Sequence, residues 1–173
     1  DLGNYDQGTI ADYQVLQTQG QTLLDDLANN LENVAEMVTQ LKEAKDTLVA
    51  LDKQPLRALV ATVKAMDLDI YTEATKNEAI IALTAAETVL DSATTNQELV
   101  DALDQLQTKV SALVRRMSAT QLETIEAYKA MIDGVDLSKY QTATADSIVA
   151  MAQRVTSFLD GTERTEAEAT AFI

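Results

Sequence analysis

The 173-residue sequence has no cysteine, no histidine and no tryptophan. Without cysteine there are no disulfides, thiolate metal sites or thiol redox chemistry. Without histidine the commonest metal ligand and the usual general base are gone. Pro55 is the sole proline and there are only five glycines. The closely spaced Gly and Pro turns of an all-β protein are therefore missing. No apolar run approaches the roughly 20 residues of a membrane span. Basic residues are scarce, 13 Lys and Arg against 28 Asp and Glu, for a net charge of −15. Their densest cluster is Arg115-Arg116, too small for phosphate neutralisation, so nucleic acid and anionic membranes are excluded as partners. The acidic excess reads as solubility and self-repulsion; the sharper alternative is an acidic face for a cationic partner. The first residues, Asp1-Leu2-Gly3-Asn4-Tyr5, do not read as a signal peptide; they look like the interior of a longer protein or a processed form.

What is present is Ala, Leu, Val, Glu, Gln and Lys in a repeating pattern. Asp1-Leu2-Gly3-Asn4-Tyr5 recurs as Asp67-Leu68-Asp69-Ile70-Tyr71 and as Asp136-Leu137-Ser138-Lys139-Tyr140, at intervals of 66 and 69 residues. Each Tyr is followed four residues later by Thr9, Thr75 or Thr144. Leu24-Asp25, Leu90-Asp91 and Leu159-Asp160 keep the same register. The expected units are 1–66, 67–135 and 136–173. The first two are three-helix repeats; the third is partial, with one helix and the start of a second.

Within each repeat, helix A follows the Tyr. In copy two it is expected from Glu73 to Leu90, with Ala79, Leu83, Ala86 and Leu90 on one face. A polar turn comes next: Ala28-Asn29-Asn30, then Ser92-Ala93-Thr94-Thr95, then Gly161-Thr162-Glu163. Helix B opens on a capping pair, Asn29 with Glu32, Thr95 with Glu98, or Thr165 with Glu168. Its stripe is Val34, Met37, Leu41, Ala44, Leu48 and Leu51 in copy one, and Leu99, Leu103, Leu106, Val110 and Leu113 in copy two. Helix C starts at Pro55, tolerated in a first turn, and carries Leu56, Leu59, Val60 and Val63. In copy two it starts at Ser118 with Gln121 and carries Leu122, Ile125, Tyr128 and Ile132. Val63-Lys64-Ala65-Met66 matches Tyr128-Lys129-Ala130-Met131. One-sided stripes must be buried against other helices. The expected fold is all-α: tandem three-helix bundles forming an elongated rod, last repeat incomplete.

The pattern Asp-Leu-x-x-Tyr, a helix ending near Val89-Leu90-Asp91, a polar turn, and then Thr95-Asn96-Gln97-Glu98-Leu99-Val100-Asp101-Ala102-Leu103-Asp104-Gln105-Leu106 resembles the FIVAR repeats of Gram-positive surface proteins. Copy two carries it from Asp67 to Leu113. Copy one keeps Tyr5, Leu24 and the helix B stripe; copy three keeps Tyr140 and Phe158-Leu159-Asp160. The resemblance implies a helical-bundle module in a large secreted or wall-anchored bacterial protein, extracellular or cell-wall associated. It also implies a spacer or adhesive role, with neighbouring domains of the parent chain, a glycan or a host matrix protein as partners.

Three functions stand at this point: a stalk, a true binding module for glycan or host protein attached to a carbohydrate-active enzyme, and a cytoplasmic helical scaffold. No catalytic residue, cofactor site or metal site is expected, nor membrane insertion, and a monomer is expected. Asp25-Asp26, Asp67 with Asp69, and Asp101 with Asp104 are the paired carboxylates; they read as turn and surface groups, and Asp67 with Asp69 or Asp133 with Asp136 would be the calcium candidates. Calcium would need further acidic ligands and a Gly at set spacing. Candidate ligand-binding residues are Tyr5, Tyr71 and Tyr140, which would stack on sugar rings if exposed. The preferred reading makes them end plugs with the ring buried and the hydroxyl wet.

Overall fold

The structure is a computed structural model that describes residues 2–25 and 27–173, and the side chains of all of these except 27–32. The described residues hold α1 (Gln7–Asp25), α2 (Leu27–Asp46), α3 (Gln54–Lys64), α4 (Glu73–Ser92), α5 (Asn96–Ser111), α6 (Ala119–Asp133), α7 (Thr142–Leu159) and the short α8 (Glu166–Thr170). Three 3-10 turns, Leu2–Asn4, Leu68–Ile70 and Leu137–Lys139, precede α1, α4 and α7. Together these make 77% of the chain helical, with no strand among the described residues. The all-α expectation holds.

The helix starts follow local chemistry. Ser118 and Gln121 form a reciprocal capping box at α6, and Thr165 and Glu168 do so at α8. At α5 the Glu98 carboxylate accepts from the Thr95 N–H at 3.1 Å, while the Thr95 hydroxyl accepts from the Glu98 N–H at 3.3 Å. Each box satisfies backbone donors that a first turn leaves without partners. Asp67 and Asp136, in the second and third Asp-Leu-x-x-Tyr motifs, have a similar task. Asp67 accepts from the Asp69 N–H, and Asp136 from the Ser138 N–H, closing the 3-10 turn.

Three expectations need correction. Residues 28–30 were expected as a turn but are already helical, because α2 begins at Leu27. Whether Asn29 and Glu32 pair lies outside the described side chains. Leu48 and Leu51 were assigned to helix B of copy one, and Leu113 to helix B of copy two. The helices instead end at Asp46 and Ser111. The connectors that follow leave helix because they pair with distant backbone, as described below.

The chain forms two compact units, Asp1–Lys64 with Ala82–Gln107, and Ala65–Ile81 with Thr108–Ile173. These cut the chain at other places than the sequence repeats, since α4 and α5 each give residues to both. In the first unit α1 packs along α2, with Ile10, Gly20 and Ala44 buried. Its other buried residues are Leu56, Val60 and Val63 of α3, Ala86 of α4, Ala93, and Leu99, Ala102 and Leu106 of α5. Lys53 Nζ donates to the Leu90 carbonyl at 2.7 Å, and Lys64 pairs with Glu87, tying α3 to α4. In the second unit α6 packs on α7 and α8. Ile125, Val155 and Ala169 are buried there beneath Met117, Ile132, Phe158, Leu159 and Phe172. Many buried positions are Ala, which lets helices approach closely without large rings; this accounts for the scarcity of aromatics.

Candidate functional site

Two of the candidate tyrosines, Tyr5 and Tyr71, sit at a backbone junction that occurs once in each unit. In the first, Tyr5 is extended and bridges antiparallel to Ala50. The Asp6 N–H donates to the Val49 carbonyl at 2.7 Å, and the Leu51 N–H to the Asn4 carbonyl at 3.0 Å. In the second unit Tyr71 bridges to Arg115. The Thr72 N–H donates to the Val114 carbonyl at 2.8 Å, and the Arg116 N–H to the Ile70 carbonyl at 3.0 Å. The two sets match bond for bond.

The recurrent threonines complete the junction. The Thr9 hydroxyl accepts from the Val49 N–H at 3.2 Å and donates to the Asp6 carbonyl at 2.8 Å. The Thr75 hydroxyl accepts from the Val114 N–H at 3.2 Å and lies 2.9 Å from the hydroxyl of the buried Thr72. The sequence spacing flagged these residues, but the partner some 40 residues away was not legible.

A third segment joins each junction. In the first unit the Gln7 N–H donates to the Thr94 carbonyl, and the Asn96 N–H donates to the Asp6 carboxylate. The Asn96 side chain accepts from the Asp52 N–H at 2.8 Å and donates to the Ala50 carbonyl at 2.9 Å. In the second, Arg116 bridges to Thr165; the Met117 N–H donates to the Arg164 carbonyl at 2.7 Å, and the Glu166 N–H to the Arg115 carbonyl at 3.0 Å. The Arg115-Arg116 pair thus acts through its backbone. In both units the start of a later helix B clamps the connector that ends an earlier one.

Tyr5 and Tyr71 are half-buried in these junctions, whereas Tyr140 is 51% exposed. The end-plug expectation of a buried ring therefore does not describe Tyr140. Its backbone is poised like that of Tyr71, extended at φ −115° and ψ 155° against −104° and 163°. Tyr71 lies against a connector; Tyr140 has about half of its surface exposed.

The carboxylate pairs are held locally. Asp69 pairs with Lys76, Asp101 accepts from Gln97, Asp133 pairs with Lys129, and Asp136 accepts from Ser138. The pair Asp25-Asp26 falls partly outside the described residues. Among the described residues no group of three or more acidic side chains is placed to hold a metal ion.

The perturbed titrations have the same structural origin. The backbone N–H groups of Thr94 and Thr95 hold the Glu98 carboxyl below its ordinary range. The Thr165 backbone N–H and hydroxyl do the same for Glu168, and the Ser138 hydroxyl and N–H for Asp136. Hydrogen bonds to Glu73 and Asp69 raise Lys76. All four shifts arise at caps, turns and surface ion pairs. No helix among the described residues is long and apolar enough to cross a membrane. No protein-family model matches the chain, and no solved structure matches it.

Proposed function

We propose that this chain is a non-catalytic run of helical repeats, tandem three-helix bundles with an incomplete third copy along an elongated rod. In this reading it serves as a spacer or stalk in a larger bacterial surface or secreted protein, holding neighbouring domains apart and contributing to adhesion. The observation that carries it is the duplicated junction, in which the segments of the recurrent Tyr and Thr are joined to a connector by matching hydrogen bonds at Val49–Leu51 and Val114–Arg116, and the start of the next helix B bonds to each junction. Such stitching transmits order from one repeat to its neighbour, which is what a stalk requires. The resemblance to FIVAR repeats supports the extracellular, cell-wall setting.

A second reading, a glycan- or host-protein-binding module, is favoured by one observation: the exposed ring of Tyr140. Small-angle scattering together with a glycan and matrix-protein array separates the two. A stalk gives an elongated monomer and no saturable binding. A compact particle removes the rod. Saturable binding lost in Tyr140→Ala makes the binding module the function.

A further inference from the structure

A cavity of about 250 Å3 opens beside the second junction, within the second unit. Its walls come from three internal segments: residues 72–73, residues 116–119 with Leu122, and residues 162–164. Backbone bonds hold these segments together. The Thr72 N–H donates to the Val114 carbonyl at 2.8 Å, the Arg116 N–H to the Ile70 carbonyl at 3.0 Å, and the Met117 N–H to the Arg164 carbonyl at 2.7 Å. The rim is thus set by main chain, which lowers the ordering cost of binding.

Arg116 and Arg164 both line this cavity. The chain has 28 acidic residues against 13 basic ones, yet among the described residues neither guanidinium stands in an ion pair. Arg164 gives one N–H to the Leu159 carbonyl at 2.7 Å, which fixes its position and leaves its other donors. Two acids share the lining. Glu73 is paired with Lys76, whereas Glu163 is paired with no described residue. Two guanidinium charges therefore face one free carboxylate, a balance of one positive charge. That balance suits a monoanion and disfavours a polyphosphate. Met117 and Leu122, both half-buried, add an apolar wall.

We infer that the cavity binds the carboxyl-terminal residue of a peptide from another molecule. The planar carboxylate of that residue matches the guanidinium forks of Arg116 and Arg164. Its amide N–H donates to the Glu163 carboxylate, and an apolar side chain lies against Met117 and Leu122. The volume lies below the roughly 300–1,000 Å3 of drug-sized sites, so it takes one terminal residue and no longer segment. The inference is independent of the stalk reading.

The test uses the full chain labelled with 15N in its arginine side chains. N-acetyl-leucine, N-acetyl-leucine amide, free leucine and sulfate are titrated in separately. N-acetyl-leucine should shift the Nε–H signals of Arg116 and Arg164 saturably and leave Arg57 and Arg154 unmoved. The amide and sulfate should give no saturable shift, and leucine a weaker response. Arg116→Gln changes an exposed side chain that bonds no described residue. It should keep the melting temperature and weaken N-acetyl-leucine binding by about tenfold. Absence of a saturable response at millimolar N-acetyl-leucine overturns the proposal. So does an equal response to the amide or to sulfate, which would mark a general polar or anionic patch. Tighter binding of leucine, or an affinity that Arg116→Gln leaves unchanged, overturns it as well.

Discussion

The hydroxyl of Thr75 accepts a hydrogen bond from the backbone N–H of Val114, 39 residues further along the chain, at 3.2 Å. Thr9 and Val49 repeat this bond at the same length over 40 residues. A side chain on the first turn of helix A thus pins the connector that leaves helix B. Thr75→Val keeps the shape but leaves that N–H to solvent, and should cost about 1 kcal/mol. Thr75→Ser should restore most of it. Chemical denaturation of both variants is the check; equal losses would mean that the methyl group matters and the hydroxyl does not.

Gly20 sits inside α1, where glycine costs roughly 1 kcal/mol relative to alanine. It is buried against α2, yet a Cβ there would meet Leu41 Cδ1 at 3.4 Å and Met37 Cγ at 3.6 Å, ordinary contact distances. The backbone is not in the left-handed region. Gly20→Ala should therefore stabilise the chain by about 0.5–1 kcal/mol. A lower melting temperature would mean that α1 and α2 are packed too tightly for one methyl.

Leu106 is fully buried and Ile81 is 70% exposed. Leu106→Ala should cost about 2–5 kcal/mol through lost burial and the cavity left behind. Ile81→Ala should stay within about 0.5 kcal/mol of the parent. Similar costs for the two would mean that the face assignment of these helices is wrong.

The tyrosines should divide. Half-buried Tyr71 should lose about 1–2 kcal/mol on replacement by Ala, less than a fully buried ring. Exposed Tyr140 should lose little. Thermal melts of the two single variants decide this; a large loss at Tyr140 would show its ring to be packed in solution.

Glu98 and Glu168 are held below the ordinary glutamate value of 4.5 by their own capping bonds. A carboxyl lowered in the folded state binds fewer protons there than when unfolded. Its contribution is present above about 4.5 and is lost as the pH falls through the lowered value. Lys76 is raised above 10.5, so its contribution is present below that value and lost as the pH rises through the raised one. Melting temperatures taken downward from pH 6 should fall less steeply in Glu98→Gln, which keeps the acceptor without the charge. A slope identical to that of the parent would remove Glu98 as a source.

What could be read directly was whatever is settled within four residues. The capping pairs Thr95–Glu98, Ser118–Gln121 and Thr165–Glu168 each satisfy donors in their own first turn, so the residues that mark the helix also start it. Pro55 sits at the second residue of α3 for the same local reason. The face of copy two was legible too, since Ala79 and Ala86 lie seven residues apart and both are buried. The scarcity of Gly and Pro excluded sheet for equally local reasons.

What only the tertiary structure decided is where the chain stops being helix and what its recurrent residues hold. Thr47-Leu48-Val49-Ala50-Leu51 carries an apolar spacing that continues the stripe of α2, and nothing within it forbids another turn of helix. It leaves helix because Asn4 and Asp6, more than 40 residues earlier, exchange backbone hydrogen bonds with Leu51 and Val49. Ala112 to Arg116 does the same against Ile70 and Thr72. Tyr5 and Tyr71 each meet such a connector some 44 residues further along. Helix propensity is a property of neighbours; its termination here is set by partners that the fold brings together from far along the chain.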